Sequence, residues 1–121
     1  MSNYRDLDIY KLSFELSIRV HKLSLKLPKF ELYEQGSQVR RSSKSIKDQI
    51  LEGYGRRRYK ADFIKFLVYS QASNDECTGQ IETIIELYPE IREWKELLPE
   101  FDILGKKINK YIQYVEKNWK S

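Results

Sequence analysis

Cysteine and histidine are almost missing from this 121-residue chain, which has one of each, Cys77 and His21. A lone cysteine leaves no disulfide framework, and one residue of each type excludes a Cys/His zinc cluster or a catalytic triad built on them. No catalytic residue, metal or cofactor is therefore expected, and the chain reads as a non-enzyme. Glycine (five) and proline (three) are too few for the regular turn signals of an all-β protein, so long helices are the default. Long apolar runs are also lacking. A third of the residues are charged, mean hydropathy is −0.66, and nothing approaches the roughly 18 apolar residues of a membrane span. A soluble, cytoplasmic chain with no membrane partner is expected, long enough for one domain that needs no covalent staple.

Charge is present in abundance and is unevenly placed. Residues 1–37 carry six basic and five acidic side chains, and 61–121 carry eight and eleven. Between them, 38–60 holds Arg40, Arg41, Lys44, Lys47, Arg56, Arg57, Arg58 and Lys60 against Asp48 and Glu52, a surplus of six.

Apolar periodicity predicts four helices. The first spans Asp8 to Lys26, with Asp6 or Asp8 as N-cap and Pro28 as the stop. It carries two apolar rows: Leu12, Leu16, Val20, Leu23 and Leu27, and also Leu7, Tyr10, Phe14, Ile18 and Leu25. One row suffices for a helix in a monomeric bundle, so the second predicts cover from another subunit. The next helix spans Leu32 to Gly53, with Gly53 and Gly55 as left-handed caps and a core stripe of Val39, Ser43, Ile46 and Ile50. A third runs from Tyr59 to Tyr88 before Pro89. A short piece from Glu90 to Leu98 is expected to break or kink at Pro99, and a last helix to span roughly Glu100 to Lys117. Short connections make this an all-α, up-down-up-down four-helix bundle.

Two further stripes mark the second helix. Arg40, Lys44 and Lys47, continued by Arg56, Arg57, Arg58 and Lys60, line one edge, with Tyr54 and Tyr59 available to stack on bases. This pattern points to nucleic-acid phosphate, and its bland counterpart is a solvated or carboxylate-paired face. Gln38, Arg41, Ser45, Gln49 and Glu52 form a wholly polar stripe, while Ser73, Glu76 and Gln80 recur on the third helix. A buried network is expected there, with Arg41 held by Glu76 or Glu52 to fix packing register or an interface. Cys77 falls at a core position and His21 on a surface or interface. The glycines of "EGYGRRR" lack the strand and Gly-Lys-Ser/Thr ending of a phosphate loop.

Three stretches carry a resemblance: "YRDLDIYKLSFEL" at Tyr4 to Leu16, "SQVRRSSKSIKDQILEGYGR" at Ser37 to Arg56, and "FIKFLVYSQASNDECTGQI" at Phe63 to Ile81. Together they resemble the small bacterial 23S rRNA intervening-sequence proteins. Lys47, Gln49, Leu51, Ala72 and Cys77 depart from that family's usual proline, asparagine, alanine, glycine and leucine. The resemblance implies a left-handed bundle that assembles as a homo-oligomeric ring, typically a pentamer, without established catalysis. Related accessory proteins of diversity-generating retroelements, similar pentameric bundles, bind nucleic acid and a reverse transcriptase. The resemblance therefore implies self-association, RNA or DNA, and a protein such as a reverse transcriptase as partners. In a pentamer, the surplus of six cations per segment is repeated around one ring. A phosphate-binding module is the leading expectation, and an adaptor ring that holds a protein is the alternative.

Overall fold

A computed structural model describes residues 3–120. Its helices are α1 (Asp8–Ser24), α2 (Gln35–Gly55), α3 (Lys60–Leu87) and α4 (Glu93–Asn118), with short 3-10 turns at Tyr4–Asp6 and Lys29–Tyr33. There is no strand among the described residues, and no described helix is long and apolar enough to cross a membrane.

Paired side chains fix the directions. The end of α1 meets the start of α2 through Arg40 and Ser24, and the start of α4 through Lys26 and Glu93. Along α2 and α3, Ser45 touches Ser73 while Ser42 touches Gln80, so residue numbers run in opposite senses. Asn74 reaches the Phe101 carbonyl while Lys60 reaches that of Glu116, which sets α4 antiparallel to α3. Each helix thus opposes its two neighbours, and the four pack as an up-down-up-down bundle.

All four helices contribute a row of side chains to the core. Leu16 and Val20 of α1, Val39, Ile46 and Ile50 of α2, Phe63, Leu67, Cys77, Ile81 and Ile84 of α3, and Phe101, Leu104, Ile108 and Val115 of α4 are all sealed from solvent. Serines share the interior with these apolar side chains. Ser13, Ser17, Ser24, Ser43 and Ser70 are buried, and each hydroxyl donates to the carbonyl three residues earlier, which satisfies it within its own helix. Of the second α1 row, Phe14 is 45% exposed, Ile18 39% and Leu25 59%.

Several boundaries differ from the sequence expectation. Leu7 is the N-cap residue of α1 and makes no side-chain bond. Asp6 instead closes a capping box with Asn3 around the preceding turn. Residues Lys29–Tyr33 coil as a 3-10 turn, so α2 begins later than Leu32 and continues past Gly53 to Gly55. Neither glycine is left-handed, because no described residue has a positive φ. Gly53 serves closeness: a Cβ there would lie 3.0 Å from the Phe66 Cβ and 3.3 Å from the Phe63 carbonyl oxygen. Pro99 does not end a helix. It sits inside the continuous α4, where it removes the N–H that would bond the Lys95 carbonyl. Pro99 and Lys95 both face solvent, which can hydrate that carbonyl, while Trp94, Leu97 and Phe101 hold the helix on the core.

Candidate nucleic-acid interface

Of the expected cationic edge, the α2 portion turns toward the protein. Arg40 donates from Nη1 to Ser24 Oγ at 2.9 Å and from Nη2 to the Leu32 carbonyl at 2.6 Å, clasping the α1–α2 connection. Lys44 Nζ donates to His21 Nδ1 at 2.9 Å, which assigns the ring's proton to Nε2. Burial, then Lys44, then Arg40 hold the His21 pKa below its ordinary value. Lys47 pairs with Asp48 at 2.7 Å, lies 5.9 Å from the centre of the Phe14 ring, and leaves only 19% of its side chain exposed. The stripe of Arg40, Lys44 and Lys47 is therefore not a free extension of the arginine triplet. Its polar heads are engaged because α1 packs alongside and covers that flank of α2.

The remaining cations cluster where α2 turns into α3. Arg56 donates from Nε to Glu52 Oε2 at 2.7 Å, lies 3.7 Å from Asp62 and stacks 4.9 Å above the Phe66 ring. Its hydrogen bond to Glu52 raises its pKa further. Arg57 stacks 4.0 Å over Tyr54 and donates to the Tyr54 carbonyl at 2.8 Å. The Arg57 carbonyl in turn accepts from Trp119 Nε1 at 2.9 Å, so the tail of the chain braces the turn. Arg58 lies 5.9 Å from the Tyr59 ring. Neither Arg57 nor Arg58 has a carboxylate within ion-pair distance among the described residues. Lys60 Nζ donates to the Glu116 carbonyl at 2.7 Å.

The two tyrosines part company. Tyr59 is 61% exposed and open to a ligand. Tyr54 is only 7% exposed and meets Phe63 edge-on at 6.1 Å, so its ring belongs to the core and is not presented to bases. Sequence reasoning passed over Phe66, Tyr69 and Lys65. Phe66 and Tyr69 meet edge-on at 5.4 Å, and Lys65 Nζ lies about 6 Å from both ring centres. Their helical spacing after Tyr59 was the available signal.

The polar stripe closes only in part. Ser45 and Ser73 share a hydrogen bond at 2.9 Å, and Ser42 Oγ donates to Gln80 Oε1 at 2.6 Å. Gln38, Arg41, Glu52 and Glu76 are exposed, and Gln49 is half-buried. Arg41 pairs with neither Glu76 nor Glu52, because Glu52 is held by Arg56. Gln38, Arg41, Ser42, Ser45, Glu76 and Gln80 instead line an open cleft of about 520 Å³ between α2 and α3. The expected buried network is thus a pair of serine bonds beneath an open polar cleft, since charged heads long enough to reach water do so when no tight partner is offered.

Among the described residues no cluster of three His, Cys, Asp or Glu side chains is placed to hold a metal. Cys77 is buried, which pushes its thiol up to about 12, far from the thiolate a nucleophile needs. These features define an all-helical four-helix bundle with a cationic turn where α2 meets α3 and, farther along the same two helices, an open polar cleft. Residues 5–110 match the 23S rRNA-intervening sequence proteins, and the chain belongs to that family. No curated protein matches it.

Proposed function

We propose that this chain is a non-catalytic nucleic-acid-binding module whose α2–α3 turn contacts the phosphate backbone, repeated around a homo-oligomeric ring. The observation that carries the reading is the turn itself. Arg56, Arg57 and Arg58 project from it, all three side chains are exposed, and Arg57 and Arg58 are unopposed by described carboxylates. The α3 and Trp119 contacts hold the backbone of that turn, so the cations are presented from a braced position. Backbone binding of this kind is sequence-tolerant and releases counterions, so it weakens as salt rises. The exposed Phe14 and Ile18 on α1 support self-association, because apolar surface in a row is costly in water and a second copy would cover it. Repetition around a ring raises the local cation density well above that of one chain.

Labelled RNA titrated by fluorescence anisotropy at low and at physiological salt tests this. The wild type binds at low salt and weakens as salt rises, while Arg56→Ala/Arg57→Ala/Arg58→Ala loses most of the low-salt affinity with helicity intact. Superimposable curves for the two proteins reject the proposal.

A further inference from the structure

Beside the cationic turn lies a short track of exposed rings. Tyr59, at the N-cap of α3, is 61% exposed, and Tyr69, on α3 beside Phe66, is 43% exposed. Tyr69 lies ten positions after Tyr59, about 15 Å along the helix, which leaves room for a few nucleotides. A cation lies over each ring, Arg58 5.9 Å from the centre of Tyr59, Arg56 4.9 Å from that of Phe66 and Lys65 5.9 Å from that of Tyr69, which leaves the opposite face of each exposed tyrosine for a ligand. A flat apolar face with a positive charge beside it mirrors the make-up of a nucleotide, a flat base with a phosphate beside it. A duplex satisfies only half of this arrangement, because its base faces are stacked on one another and only its phosphates are available. Phe66 is itself the shelf for Arg56 and is half-buried, so the rings left for a ligand are Tyr59 and Tyr69.

We propose that the nucleic acid held at this edge is single-stranded, with bases stacking on Tyr59 and Tyr69 while Arg58, Arg56 and Lys65 take the phosphates. This rests on the phosphate-binding reading above and adds to it the class of strand. Glu52 and Asp62 hold Arg56 in the orientation that covers Phe66, so the two acids order the track at the expense of some of its charge. Stacking on an aromatic ring tolerates every base, so the track selects strandedness and not sequence.

Three probes of equal length separate the contributions: oligouridylate, the same sugar-phosphate strand without bases, and a duplex. The abasic strand carries the charge and lacks the faces. Wild-type protein is expected to bind oligouridylate about tenfold or more tightly than the abasic strand, given the usual strength of base–aromatic stacking. Tyr59→Leu/Tyr69→Leu should bind oligouridylate only as well as the abasic strand, with abasic affinity and salt dependence unchanged. Tyr59→Phe/Tyr69→Phe should retain the preference. Equal wild-type affinity for base-bearing and abasic strands overturns the stacking proposal and leaves the phosphate-binding reading standing. A leucine variant that keeps the full preference, or that loses abasic affinity as well, also overturns it. Failure of the wild type to bind any of the three strands removes both readings together.

Discussion

Gly53 sets how closely α2 and α3 approach just before the cationic turn, and replacing it with alanine measures that closeness. Within a helix, alanine is favoured over glycine by about 1 kcal/mol. At Gly53 the added methyl would stand 3.0 Å from the Phe66 Cβ and 3.3 Å from the Phe63 carbonyl oxygen. Neither neighbour is the mobile end of a side chain, so the two helices must separate, an overpacking cost of about 2–3 kcal/mol. The net expectation is a loss of about 1–2 kcal/mol. Gly79 on α3 is the internal control, because a Cβ there meets nothing within 4 Å and only the propensity gain remains. Gly79→Ala should therefore stabilise by about 0.5–1 kcal/mol. Urea unfolding followed by circular dichroism at one fixed protein concentration reads both changes, and fixing the concentration removes any shift from self-association. Opposite signs are the prediction. A stabilised Gly53→Ala protein would mean that α2 and α3 are not in close contact there, and the bracing of the turn would lose its basis.

Two other predictions concern titration. Burial pushes the Cys77 thiol and the Tyr111 phenol up to about 12, and the Tyr88 phenol reaches about 12 chiefly through its hydrogen bond to Glu31. In the folded state all three keep their protons past the pH at which the unfolded chain loses them, so stability is full below about pH 9 and declines as pH climbs toward 12. Thermal melts across that range should show the decline, and flat melting temperatures would refute it; at neutral pH the native Cys77 should resist a thiol reagent that reacts promptly in urea. For His21 the direction is reversed. Its folded pKa lies below the usual 6.5, so its contribution to stability is present above that pH and is lost as pH falls through the folded pKa. A proton NMR titration should place its midpoint below 6.5, and Lys44→Met should move it up; a midpoint at or above 6.5 in the wild type contradicts the Lys44 contact.

The four helices and their core faces were legible because apolar residues repeat at the helical period and burial follows that repeat. Where geometry depends on a partner across the bundle, the sequence is silent. Arg40 looks like a surface cation on one strand of text, yet its guanidinium is spent on Ser24 and Leu32 because α1 lies against it. Tyr54 and Tyr59 are near neighbours of the same type, and it is packing across the bundle, with Phe63 edge-on to it, that places Tyr54 in the core. Glu31 is a carboxylate only 4% exposed that accepts from Tyr88 at 2.7 Å, and Asn74 is an amide equally buried. Both break the rule that polar residues face water, so no pattern of hydropathy reveals them. Pro99 misled in the other direction: a single lost hydrogen bond on a solvated face is outweighed by the apolar side chains that continue on either side of it.

The cationic turn is most directly tested by the slope of log affinity against log salt concentration for a single-stranded RNA. Each phosphate neutralised on a single strand contributes roughly 0.7 to that slope, so removing three arginines at one occupied turn should flatten it by about 1.4 if Arg56 and Arg58 alone hold phosphate and by about 2 if Arg57 does so as well. A wild-type slope that is steep, and shallower by about that amount in Arg56→Ala/Arg57→Ala/Arg58→Ala, is the expected result. Identical slopes would mean that phosphate is held elsewhere on the bundle or not at all.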